Sequence, residues 1–275
     1  MTIRPKLIVT AVALLAMSAS LAQTETSDVE DPNEVLKIAA LEALISAPPE
    51  RALPLVIKVL DANNTDDVKE RALFVLSQIN LPEAQARLLD VARSSDPELS
   101  AEAVRMIGIG GNAEALAGLS ELYSEGDEDL REAVLEAYMI AGDVDAVHAI
   151  ATNASDADEF EAAVEMLGVM GAVDRLQALS ESSGFTEELI QALGIAGGDN
   201  VNATLMEIYR NAETDDIRHA ALEGMMISGY GDGVLELYGE ATDINEKRDL
   251  LEMLAIMDSD AMMELLDAVL TGGDQ

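Results

Sequence analysis

The chain has no cysteine. That absence excludes disulfides, thiolate metal sites and a cysteine-linked lipid anchor. Histidine is almost missing too. Only His148 and His219 occur, 71 positions apart (219 − 148), and neither stands in a sequential His-Glu pair. No serine sits in a nucleophile elbow. Gly108-Ile109-Gly110-Gly111 lacks the lysine and the spaced third glycine of a phosphate loop, and reads as close packing followed by a helix stop. The loop from Asp61 lacks the central glycine of a calcium loop, and Ala72 stands where its bidentate glutamate belongs. The sequence therefore offers no catalytic centre, cofactor site or metal site, and the expectation is a non-enzyme. Basic residues are scarce as well: 16 Lys and Arg face 53 Asp and Glu, a net charge of −37. Such a surface repels phosphate backbones and anionic membranes, which excludes nucleic acid as a partner. Basic proteins, basic peptides or cations are complementary to it. The same surplus also solvates a protein in salty surroundings, and composition leaves both readings open.

Long apolar runs are confined to the start. Arg4 and Lys6 precede the apolar stretch Leu7 to Met17, and Ser20-Leu21-Ala22 supplies small residues for processing. Residues 1–22 read as a signal peptide cleaved after Ala22, and residues 23–31, polar and aperiodic, as a disordered leader. Residues 32–272 form the repeat region and 273–275 a tail. No second apolar segment is long enough to span a membrane. Export without cysteine fits the periplasm of a Gram-negative bacterium, with secretion as the alternative.

What the chain does have is a repeated block. Leu-Glu-Ala-Tyr-Met-Ile-Ala-Gly, from Leu135 to Gly142, recurs in ungapped copies starting at Leu41, Leu73, Val104, Leu135, Val164, Ile190, Leu222 and Leu251. The intervals, by subtraction, are 32, 31, 31, 29, 26, 32 and 29 residues. A period in this range is the mark of a repeat array. Asp127 is placed to cap the helix that carries the block, Leu130, Val134, Leu135 and Tyr138 recur on one helical stripe, and Gly142 ends the helix. Glycine fills the same stop position at 111, 171, 197 and 229, and asparagine at 80. A second short helix follows each block: 49–62, 82–93, 112–124, 144–152, 173–182, 200–211, 233–241 and 260–270. Neither kind of helix can bury its apolar face alone, so stacked hairpins are required. Residue +5 of the block (Gln78, Ile109, Ile140, Val169, Ile195, Ile227, Ile256) is apolar in all but one of these copies and is expected to pack on the neighbouring repeat. The short interval between Val164 and Ile190 predicts a change of curvature near residues 180–198.

Asp96 to Leu116, DPELSAEAVRMIGIGGNAEAL, resembles a HEAT-type repeat, in particular the short variety named after phycobilisome lyases. Asp215 to Leu222 and Asp66 to Leu73 resemble it too. The likeness runs from about Asp31 to Leu270. It implies an all-α, right-handed α-solenoid of stacked antiparallel helix hairpins, with about seven full repeats plus half-repeats at each end. HEAT-like repeats serve as binding scaffolds for many partners, and the block helix in them usually lines the concave surface. The chain lacks the His-Glu motifs of iron-dependent HEAT hydroxylases, so that likeness stops at the fold.

At 100° per residue, block positions −3, +1 and +4 fall in the sector away from both apolar flanks. They supply the candidate partner-binding residues: Glu132, Glu161 and Glu187 at −3; Arg105, Glu136, Glu165, Glu223 and Glu252 at +1; Met139 and Met226 at +4, where other copies carry Gly108, Gly168 and Gly194. Glu132 with Glu136, and Glu161 with Glu165, are like-charge pairs one helical turn apart, which repel. A basic protein or peptide would relieve that repulsion. The expected function is a non-enzymatic periplasmic scaffold that binds a partner through an acidic concave face. The alternatives are a cation-binding protein, for Ca²⁺ on carboxylates or Cu(I) on the methionines of the last third, and an accessory subunit of an enzyme complex. The methionines, at helical spacing among Leu and Ile, also read as core filler.

Overall fold

The computed structural model describes residues 31–257 and 260–271; the signal-peptide segment, the leader up to residue 30 and the tail lie outside the described residues. Within these, the chain forms sixteen helices and no strand. They are α1 (Pro32–Leu44), α2 (Pro49–Leu60), α3 (Asp66–Ser77), α4 (Pro82–Ala92), α5 (Pro97–Gly110), α6 (Ala113–Glu125), α7 (Glu128–Ala141), α8 (Val144–Asn153), α9 (Ala157–Val169), α10 (Val173–Ser183), α11 (Glu187–Ala196), α12 (Asp199–Asn211), α13 (Asp215–Ile227), α14 (Gly231–Glu240), α15 (Ile244–Met257) and α16 (Asp260–Thr271). Odd helices carry the block and even helices follow it. Grouped as α2–α3 onward, this is seven repeats with α1 and α16 as the halves at each end.

The ends of the helices follow from local chemistry. Proline stands in the first turn of α1, α2, α4 and α5, where its missing N–H is not needed. Asp127 Oδ1 accepts from the Leu130 amide at 3.1 Å, and Asn112 Oδ1 from those of Glu114 and Ala115 at 3.0 and 3.1 Å. Asp31, expected in the leader, caps α1 by accepting from the Asn33 amide at 2.9 Å. Gly142 takes the left-handed conformation, with φ of 71°, and the Asp143 amide returns to the Tyr138 carbonyl at 2.9 Å. The four other glycines of that stop position also have positive φ. Asn80 is not a stop: α3 ends at Ser77, with Gln78 as a right-handed cap.

Two layers result, and they differ in tightness. The odd helices pack directly on one another from α1 to α7 and from α9 to α13. Each even helix from α2 to α14 packs at least as closely on the following odd helix as on the preceding one, while among even helices only α4 and α6 are in comparable direct contact. An array with one tight and one splayed layer curves toward the tight one, so the odd helices line the concave side. Val134, Leu135, Ala137 and Tyr138 are buried in α7, and the equivalent positions are buried in α5, α11 and α13 and, except for half-buried Met166, in α9. Tyr138 Oη donates to the Leu116 carbonyl at 3.2 Å, tying α7 to the helix before it.

Position +4 sets the spacing in the tight layer. A Cβ added to Gly108 would lie 2.7 Å from the Ala137 carbonyl oxygen; at Gly168 it would meet the Ala192 oxygen at 2.7 Å, and at Gly194 the Gly224 Cα at 2.8 Å. Those helices touch backbone to backbone, which only glycine permits. Where +4 is methionine, at Met139 and Met226, the junctions α7–α9 and α13–α15 are the loose ones of the layer. The residues in matching register on the next helix are Met166 and Met253. This corrects the placement of +4 in the open sector: Ser77, Gly108, Gly168 and Gly194 are buried, and Met139 and Met226 half-buried between neighbours. Near residues 180–198 the short interval coincides with a short α11 of 10 residues, and α9 and α11 are in close contact.

The splayed layer is bridged by arginine. Arg93 pairs with Glu121 at 2.6 Å, Arg175 with Asp145 at 2.6 Å, and Arg210 with Glu236 and Glu240 at 2.7 Å each; Arg87 pairs with Asp61. Each pair joins successive even helices or their caps. Exposed pairs contribute about 0–1 kcal/mol each, so these bridges add little stability one by one.

Candidate acidic face on the concave layer

The concave helices expose their −3 and +1 positions. Glu132 and Glu136 on α7, Glu161 and Glu165 on α9, and Glu187 on α11 are all exposed. Among the described residues no Lys, Arg or His lies within 4.0 Å of any of these five carboxylates. On the flanking repeats several of these positions have a basic neighbour instead. Glu42 lies 3.7 Å from Arg71, Glu223 lies 3.3 Å from His219, and Glu252 lies 3.8 Å from Arg248, while Arg105 is held by Glu102 on its own helix. Glu70, at −3 on α3, has no basic group within 4.0 Å either, so the unpaired −3 and +1 carboxylates lie on α3, α7, α9 and α11, most of them on the three middle helices. Partial desolvation, and then the charge of Glu161 one turn away, push the Glu165 carboxyl above the usual glutamate range. Desolvation, followed by Glu102 on the next repeat, does the same at Glu70. In both cases desolvation is the larger cause and like charge the smaller one: Glu161 on the same helix for Glu165, and Glu102 on the next repeat for Glu70.

A cleft of about 1130 Å³ opens across the N-terminal ends of α11, α13 and α15. It brings together Glu161, Glu187 and Glu223 from the predicted set, but Glu132, Glu136, Glu165, Glu252 and Arg105 lie outside it. Met139 and Met226 are not part of its lining either. Further acids in the cleft come from positions the repeat pattern did not single out, including Asp215, Asp216, Asp243 and Glu246. They sit in the polar links and first turns, where acids also complement the helix dipole, so their composition gave no separate signal. Among the described residues no three Asp, Glu or His side chains are grouped to hold a metal ion. Met225 and Met253 are buried in the core, and Met206 beside them.

Position +5 departs from expectation. Ile109, Ile140, Val169, Ile195 and Ile227 are 39–43% exposed and Ile256 is 69% exposed. These residues do not pack fully on the neighbouring repeat. Each lies four residues after a solvated +1 position, on the same stripe of its helix, so it shares that stripe's access to water.

A family model described as HEAT repeats matches residues 57–139. Among solved structures, the chain is similar to the complex of CpcE and CpcF of phycocyanin lyase from Nostoc sp. PCC7120, at 17% identity and a TM-score of 0.37, over 90% of this chain and 98% of that one. It is also similar to human deoxyhypusine hydroxylase in complex with glycerol, at 17% identity and a TM-score of 0.34, over 82% of this chain and 98% of that one. No curated protein matches the chain.

Proposed function

We propose, from the premise that the chain is a HEAT-repeat protein, that it is a non-enzymatic scaffold that binds a basic protein or peptide on its concave face. The observation that carries this reading is the run of unpaired carboxylates Glu132, Glu136, Glu161, Glu165 and Glu187 on adjacent helices. Like charges held in register raise the free energy of the unliganded face, and a Lys- or Arg-bearing partner lowers it. The periplasm is the proposed location. It is supported by the signal-like start, the lack of cysteine and a net charge of −37 that suits a compartment exposed to the salinity of the medium.

The test is capture of partners from periplasmic extract at about 0.05 M and about 0.5 M salt, a range over which screening of exposed charges becomes strong. Proteins retained at low salt should be released at high salt, and should be lost from a Glu136→Lys plus Glu165→Lys variant. A partner set indifferent to both changes sinks the reading. Loose binding of Ca²⁺ is the second reading; it rests on the carboxylates of the cleft alone, which share that lining with Arg210, Arg218 and His219. Calorimetric titration separates the two, because that reading requires heat and a raised melting temperature with Ca²⁺ alone. A Cu(I) reading would need accessible thioethers held together; Met225 and Met253 are buried, Met226 and Met257 half-buried, and Met263 is exposed.

A further inference from the structure

We propose that the exposed aliphatic line at block position +5 is a docking rail, and that its occupant is a cationic amphipathic helix of a partner protein lying along the array. This rests on the acidic-face reading above and deepens it. Ile109, Ile140, Val169, Ile195, Ile227 and Ile256 occupy one structural position in six successive repeats. Single exposed aliphatics are ordinary, but a line of them is not. The fold does not require them. At exposed sites in the last turn of a helix, β-branched residues form helix less readily than Lys, Gln or Ala, and basic residues complement the dipole there. In a chain with 53 acidic residues this line carries none.

The neighbours of the rail define what fits. Each +5 residue sits one turn beyond a +1 residue: Ile109 beyond Arg105, Ile140 beyond Glu136, Val169 beyond Glu165, Ile195 beyond Gln191, Ile227 beyond Glu223 and Ile256 beyond Glu252. The aliphatic line therefore runs beside carboxylates on α7, α9, α13 and α15, and beside Gln191 on α11 and Arg105 on α5. The matching ligand has one apolar edge and one basic edge. Spacing selects its conformation. Packed helices are about 8–10 Å apart, so the rail repeats at roughly that distance across the close junctions α5–α7, α9–α11 and α11–α13, and more widely at the loose junctions α7–α9 and α13–α15. A heptad of α-helix rises about 10.5 Å, close to one repeat. An extended chain presents same-side residues every ~6.6 Å or every ~13 Å and falls out of step. The occupant is thus a helix with apolar residues at heptad spacing and Lys or Arg along the adjacent stripe.

The experiment uses the full mature chain and a labelled synthetic peptide of about 28 residues, four heptads, with leucine at every seventh position and lysine on one flank. A second peptide has the same composition with its leucines scattered around the helix. Fluorescence anisotropy should show the patterned peptide binding at least about tenfold tighter than the scattered one, a difference of about 1.4 kcal/mol. Near-isosteric Ile140→Thr plus Ile195→Thr should bring the patterned peptide down to the scattered level and leave the scattered peptide unchanged, with helix content and melting temperature checked in parallel. Equal, salt-sensitive binding of both peptides by the wild-type chain overturns the rail while the acidic face stands. Binding of neither peptide overturns the rail and the acidic-face reading together. The two-peptide comparison decides the matter even if the substituted chain misfolds.

Discussion

Replacing Gly108 by alanine tests the packing of the concave layer most cleanly. The new Cβ would lie 2.7 Å from the Ala137 oxygen and 2.8 Å from its Cα, where ordinary contact begins at 3.4 Å. Helix α7 must move away by about 0.7 Å (3.4 − 2.7), and the obstacle is backbone, not a side chain that can rotate. Such overpacking costs about 1–3 kcal/mol. Alanine also returns up to about 1 kcal/mol of helix propensity. The comparison that isolates the clash is Gly239→Ala on α14, where nothing lies within 4 Å of the added carbon. Gly239→Ala should stabilise by about 0.5–1 kcal/mol, and Gly108→Ala should fall below it by about 1–3 kcal/mol. Urea unfolding followed by circular dichroism measures both. Because stability in an array is a sum of repeat and interface terms, the Gly108 variant should also broaden or split the transition. If Gly108→Ala stabilises as much as Gly239→Ala, the close approach of α5 and α7, and with it the account of position +4, is wrong.

Two further outcomes follow from the same structure. Glu165→Gln should raise stability near neutral pH, since the folded state raises the Glu165 pKa and so penalises the charged form. The penalty is present above the folded pKa and vanishes as pH falls toward the ordinary value of 4.5, so the advantage of the variant in urea midpoint should shrink over that window. Leu119→Ala on α6 empties a site that is 0% exposed and should cost about 2–5 kcal/mol in thermal or urea unfolding; a loss under about 1 kcal/mol would contradict the core assignment.

The fold was largely legible in the sequence because local and periodic signals agree. Asp127 and Gly142 mark the two ends of α7, and the stripe between them is the one that is buried. The working face was legible in part. Glu136 and Glu165 are exposed as the helical projection requires, since that projection depends on one helix alone. Roles that depend on which helices touch were not legible. Gly108 and Met139 occupy one position, yet one allows backbone contact and the other accompanies a looser junction, and no single-helix projection distinguishes these from an open groove floor. Ile140 and its counterparts were misplaced because periodicity records that a residue is apolar, not whether a neighbour covers it. The arginine bridges of the convex layer were readable in principle: Arg93 and Glu121 are 28 residues apart and Arg175 and Asp145 are 30 apart, near one repeat period.

The central claim is that the unpaired carboxylates of α7, α9 and α11 form a working surface for a basic partner. The measurement that tests it most directly is the affinity of the mature chain for a lysine-rich peptide as a function of salt, for the wild type and for Glu136→Lys plus Glu165→Lys. The account predicts tight binding at low salt, a steep loss as salt rises, and a double variant weakened by about tenfold or more at low salt with a flatter salt dependence. Equal affinity and equal slope for the two proteins would contradict it.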